Sequence, residues 1–123
     1  NDIASMTKVI VSMRHEIRRF VKQVDFITSP GFLSGGKSRV QEGLISGGAH
    51  LVVTDLGVMD FDVKDGRMRL KSLHPGVTIK EIQAKTGFKL KIPKKIPKTN
   101  PPTTKELLML RALDPEGRYT QRH

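Results

Sequence analysis

The stretch VMDFDVKDGRMRLKSL, residues 58–73, decides the fold. Apolar and charged residues alternate on either side of Asp65-Gly66, and Asp-Gly is a two-residue hairpin turn signal. Folding the chain at that pair predicts Val63 opposite Met68 and Phe61 opposite Leu70 on one face. The other face then pairs Asp62 with Arg69 and Asp60 with Lys71. Both faces agree with one register, so an antiparallel hairpin is predicted, with an apolar side to bury. Asp60 and Asp62 could be read as a carboxylate pair for acid–base work. The basic cross-strand partners make them salt-bridged strand residues instead.

Outward from the hairpin, Lys8 to Met13 (KVIVSM) is a β-branched run that predicts a buried strand, and Leu51 to Thr54 predicts another. Asn1 and Asp2 are N-cap residues for a short helix. Ile17, Phe20, Val21 and Val24 fall at helical spacing, so an amphipathic helix is predicted over 15–24. Phe26 to Thr28 ends at a turn, Ser29-Pro30-Gly31. The glycine-rich excursion after it leaves room for one helical turn. Downstream, Thr78-x-x-Glu81 and Thr103-x-x-Glu106 are capping boxes. The first predicts a helix whose Ile79 and Ile82 point one way and which stops near Gly87. The second predicts a helix bearing Leu107, Leu108, Leu110 and Leu113, ended by Asp114-Pro115. Leu90 and Ile92 form a short extended piece. Residues 93–102 (PKKIPKTNPP) form a semi-rigid connector. The expected organisation is an α/β unit over 1–92, the connector over 93–102, and a terminal helix with a loose polar tail over 103–123.

With 123 residues and no cysteine, the chain builds its core without disulfides or a cysteine-based zinc site. The net charge of +10 favours polyanionic partners: nucleic acid, an anionic membrane or a ligand with several phosphates. No apolar run approaches the ~20 residues that cross a bilayer. The sequence opens on Asn1 rather than Met, which suggests a fragment or a processed chain.

Gly31 to Ser38 (GFLSGGKS) fits the phosphate-loop pattern G-x-x-x-x-G-K-[ST] residue for residue. Such a loop needs a long helix after the serine and alternating βα units around it. Gly43, Gly47 and Gly48 leave about two turns, and a hairpin follows, so a glycine-rich surface loop is the better reading. His15, His50 and His74 show no metal-ligand spacing, and no metal is expected. Arg14 and His15 stand just beyond the strand at 8–13, where ligands bind in open α/β sheets. They are either an anion-docking pair or a solvated helix start. Lys89, Lys91, Lys94, Lys95 and Lys98 resemble a nucleic-acid patch. With only Phe88 beside them to stack a base, a water-facing strand and linker is preferred.

Several segments together resemble the small (B-type) subunit of glutaconate-type, family I CoA-transferases. They are NDIAS at 1–5, MRHEIRRF at 13–20, VDFITSPGF at 24–32, VVTDLGVMDFD at 52–62, SLHPGVT at 72–78, TGF at 86–88, and PPTTKEL through LDPEG at 101–117. The pair Lys37-Ser38 departs from the family pattern. The resemblance implies an α/β fold, an open sheet of the CoA-transferase (NagB/RpiA-like) type, of which this is the C-terminal part. It implies a homologous A subunit and the N-terminal part of a B subunit as partners, hence a hetero-oligomer. It also implies acyl-CoA as substrate, no separate cofactor, and a cytoplasmic setting without membrane or nucleic acid. In such enzymes a glutamate forms a glutamyl-CoA thioester, a carboxylate nucleophile that splits one exchange into two steps. The resemblance places it before NDIAS, so neither Glu16, Glu42 nor Glu81 inherits the role and no catalytic residue is assigned. Arg14, His15, Ser29, Gly31 and Phe32 are the expected substrate- or CoA-binding residues, the last three as a turn over an acyl group or subunit contact. Two other functions remain open: a hydrolase of the same fold acting on a ring-opened steroid CoA ester, and a basic nucleic-acid-binding module.

Overall fold

The structure, a computed structural model, describes residues 8–44, 47–62 and 64–120. Four strands form one sheet in the order of the chain: β1 (Val9–Ser12), β2 (Ala49–Val53), β3 (Gly57–Phe61) and β4 (Met68–Leu73). β1 and β2 are parallel, and β2–β3 and β3–β4 are antiparallel. Three helices accompany the sheet: α1 (Ser38–Gln41), α2 (Ile79–Ala84) and α3 (Thr104–Leu113). The expected helix start at Asn1–Asp2 and the last residues of the tail lie outside the described residues. β1 lies at a sheet edge and alternates half-buried with exposed residues, leaving Ile10 61% exposed rather than buried.

The hairpin forms with the predicted faces but not the predicted register. Met59 pairs with Leu70, Asp60 with Arg69 and Phe61 with Met68. Val63, the expected partner of Met68, lies outside the described residues. The ladder closes earlier than at Asp65-Gly66: the Asp62 N–H donates to the Arg67 carbonyl, and the Gly66 N–H to that of Asp62. The type I′ turn that Asp-Gly favours needs left-handed geometry at both central positions. Gly66 has it, at φ 66°, but Asp65 does not. Over Met59–Phe61 the register therefore slips by two residues, one full side-chain period, and each side chain there keeps its face; a bulge between Val58 and Met59 resets the pairing beyond. Asp60 takes Arg69 as a bidentate partner (2.8 Å to each oxygen), in place of Lys71. Asp62 goes to Lys91, 2.7 Å away.

The core gathers Phe20, Val52, Leu56, Met59, Leu70, Leu73, Ile82 and Leu90. α2 contributes Ile82, which is wholly buried, while Ile79 stays 43% exposed, so the two do not share a face against the core. The Thr78 hydroxyl caps the Glu81 N–H, and the helix ends at Ala84, short of Gly87. The predicted helix over 15–24 is a single turn. The Glu16 carbonyl accepts from Arg19 and Phe20, and the Phe20 carbonyl is then taken by the Gly87 N–H at 2.6 Å, so helical bonding stops there.

After Leu90, residues 91–99 run along the outer edge of β4. They touch it through isolated parallel bridges, Arg69 to Lys91 and Leu73 to Lys98. Pro93 and Pro97 have no N–H to offer a ladder, which keeps this segment from becoming a fifth strand while it still covers the edge. α3 follows with the full Thr103–Glu106 capping box and ends at Asp114, as the sequence predicts. Among the described residues no helix is long and apolar enough to cross a membrane.

Candidate functional site

The carboxyl end of β1 and the turn after β2 come together because the two strands are parallel neighbours. Arg14, His15, Glu16, Ile17, Asp55, Ala84 and Lys85 line a cleft of about 720 Å³ there. The His15 N–H donates to Asp55 Oδ1 at 2.6 Å, fixing the β1 end against the β2–β3 turn.

The His15 ring turns inward and is buried. It stacks on Phe20, with centroids 4.0 Å apart. Nε2 lies 2.9 Å from Thr86 Oγ1, and Nδ1 lies 3.2 Å from Thr54 Oγ1. Thr86 donates its own proton to the Ile82 carbonyl, so it must accept, and Nε2 carries the hydrogen. The Thr54 hydroxyl also donates to the Gly57 carbonyl at 3.0 Å, so its one proton is shared between that carbonyl and Nδ1. Burial is the main cause that pushes the His15 pKa below its ordinary 6.5, and Lys85 adds to it; Asp55 opposes. Burial thus favours the neutral imidazole, which braces β1, the β2–β3 turn and the end of α2. The cleft wall is left to Arg14, Lys85, Asp55 and the carboxylate of Glu16. Arg18 and then Arg19 hold the Glu16 pKa below the usual carboxylate range.

Ser29, Gly31 and Phe32 lie elsewhere. Phe32 packs on Phe61, ring centroids 5.0 Å apart. The buried Arg39 donates to the carbonyls of Pro30 and Gly31 at 3.1 and 2.6 Å. These contacts place the turn at the Phe61 end of β3, whereas Arg14 and His15 stand by its Gly57 end. The two groups are separated by the length of that strand, roughly 14 Å at ~3.4 Å per residue. Asp55 and Lys85 join Arg14 in the cleft and were not among the residues expected from sequence. Asp55 carried a signal, since it ends the second of two parallel β-branched runs; Thr86 stood only within the family-like stretch TGF, and Lys85 carried none.

The phosphate-loop pattern is not a phosphate cradle. The Ser38 hydroxyl donates to the loop's own carbonyls at Phe32 and Gly35, 3.0 and 2.7 Å away. The N–H groups of Gly35 and Ser38 close turns inside the loop. α1 is only four residues long. The lysine run is also divided: Lys91 binds Asp62 and Asp65, and Lys98 donates to the Val77 carbonyl. Among the described residues no group of three His, Cys, Asp or Glu side chains could hold a metal ion.

The cleft lies beyond the strand ends of a mixed open sheet, the place where open α/β folds generally bind their ligands. Residues 1–85 match the family model described as coenzyme A transferase, and the chain belongs to that family. The B subunit of glutaconate CoA-transferase from Acidaminococcus fermentans is 35% identical over 122 residues, 98% of this chain and 46% of that protein. The crystal structure of glutaconate coenzyme A-transferase from the same organism superposes with a TM-score of 0.88 at 34% identity, covering 100% of this chain and 48% of the other. The cholesterol ring-cleaving hydrolase IpdB subunit of Mycobacterium tuberculosis is 34% identical over 104 residues, 84% of this chain and 41% of that protein. The chain thus spans about half the length of the relatives it matches.

Proposed function

We propose that this chain is the C-terminal part of the small, B-type subunit of a CoA-transferase. It works with an A subunit and the N-terminal part of its own subunit to move CoA between acyl-CoA thioesters and carboxylic acids. The observation that carries this reading is the superposition on glutaconate CoA-transferase along the whole chain, at a TM-score of 0.88. The nucleophilic glutamate of the reaction is not assigned to any residue here. This chain supplies a wall: Arg14 and Lys85 offer positive charge at the strand ends, and the His15–Asp55 contact sets the backbone that carries Arg14. The turn at Ser29, Gly31 and Phe32, beside the exposed Phe26 and Ile27, serves a subunit contact on this reading. The cytoplasm is the setting it implies.

In the assembled enzyme, Arg14→Ala is expected to lower kcat/KM for the acyl-CoA about tenfold, the cost of one charge-assisted contact. Unchanged kinetics would remove Arg14 from the site. The relation to the IpdB subunit supports a second reading, hydrolysis of a CoA ester on the same fold. Incubating the assembly with an acyl-CoA, with and without an acceptor acid, separates the two. CoA exchange that requires the acceptor supports the transferase, and product formed in water alone supports the hydrolase.

A further inference from the structure

A second cleft, of about 640 Å³, adjoins the Phe20–Gly87 hydrogen bond, next to Val21 and Phe88. Its walls differ from those of the first. Val21, Phe88 and Ile92 supply apolar surface, Lys22, Arg67, Lys89 and Lys91 supply charge, and among the described residues no acidic side chain lines it. Of these cations Lys91 is held by Asp62 and Asp65, and elsewhere Glu16 is spent on Arg18 and Arg19 and Asp60 on Arg69. Among the described residues Lys22, Arg67 and Lys89 have no carboxylate within ion-pair distance. A concavity lined by one sign of charge focuses potential and gathers counter-ions. A simple carboxylate would not need three cations, and an acyl chain would need none. The combination suits a ligand that carries several phosphates on a flat ring, the ring resting on Phe88 and the phosphates facing the cations. A nucleic-acid strand would want successive aromatic platforms, and among the described residues Phe88 is the only ring lining the cleft.

We infer that this cleft takes the nucleotide end of a CoA thioester, with Lys22, Arg67 and Lys89 on the phosphates and Phe88 under the adenine. The inference rests on the transferase reading and assigns it a site separate from the strand-end cleft. Segments 14–22 and 84–92 contribute to both clefts, joined by Asp55 in the first and by Arg67 and Met68 in the second.

The test is calorimetric titration of the assembled enzyme with CoA, adenosine 3′,5′-bisphosphate and pantetheine. The variants are Lys22→Glu and Lys89→Glu, both at exposed positions, with Lys105→Glu on α3 as a control for net charge. CoA and the bisphosphate are expected to bind about tenfold more weakly to each cleft variant and as in the wild type to the control. Pantetheine, which has no nucleotide, should not distinguish any of them. Wild-type affinity for CoA in both cleft variants overturns the site, and so does an equal loss in the control. Loss of oligonucleotide retention with CoA affinity intact makes the cleft a nucleic-acid surface and overturns it too. Transfer activity is read separately. An inactive wild type whose CoA binding still depends on Lys22 and Lys89 counts for the cleft and against the transferase. An active one whose CoA binding ignores both residues counts against the cleft alone.

Discussion

α2 and α3 begin with the same sequence signal and come to opposite ends. Each opens with Thr-x-x-Glu, and in each the threonine hydroxyl accepts from the glutamate N–H. α2 has six residues and places Ile82 in the centre of the core. α3 has ten residues, completes the reciprocal capping box, and buries none of them. Leu108, Met109, Leu110 and Leu113 remain exposed. A cap fixes where a helix starts; the surface it meets decides what it contributes. The shorter and less perfectly capped helix is the one that holds the fold together.

The largest expected effect breaks the contrast at its core. Ile82→Ala should cost about 2–5 kcal/mol in denaturant unfolding, the usual range for emptying a buried aliphatic site. Leu110→Ala on α3 should stay within about 0.5 kcal/mol. Equal losses at the two positions would end the distinction. A second test uses pH, because Thr86, just past α2, is tied to His15. The buried ring protonates less readily than it would in the unfolded chain. Its contribution is therefore complete above the ordinary value of 6.5 and is lost as pH falls through the lower folded pKa. A stability-against-pH series should show this decline, and His15→Gln should flatten it. The smallest pair concerns the caps. Thr78→Ala should lower global stability by about 1 kcal/mol. Thr103→Ala should fray only α3, visible as faster amide exchange there without a shift in the unfolding midpoint.

The strands were legible because β-branched runs announce themselves, and the hairpin faces because alternation survives a two-residue slip. The register was not legible. It depends on Gly66 ending the turn against Phe32, a contact from another part of the chain. The helix expected over 15–24 fails for a similar reason: its periodicity is real, but the Phe20 carbonyl is claimed by Gly87. Within the candidate site, Arg14 could be placed because it follows a strand. The inward turn of His15 could not, since it needs Thr54 and Thr86 on either side of the ring.

The contact between the glycine-rich excursion and the hairpin has a consequence for how these segments can vary. A Cβ at Gly35, where φ is 83°, would fall 2.0 Å from the Asp65 carbonyl oxygen, and one at Gly66 would fall 2.6 Å from Phe32 Cβ. Each loop has a glycine where the other presses against it. The two therefore behave as a dovetail, in which neither half can be recut alone. A mutational library should find both glycines intolerant, while Gly31, with an ordinary φ and nothing within 4 Å, accepts a side chain. Grafting another family member's hairpin turn into this chain would then mean carrying its excursion along with it.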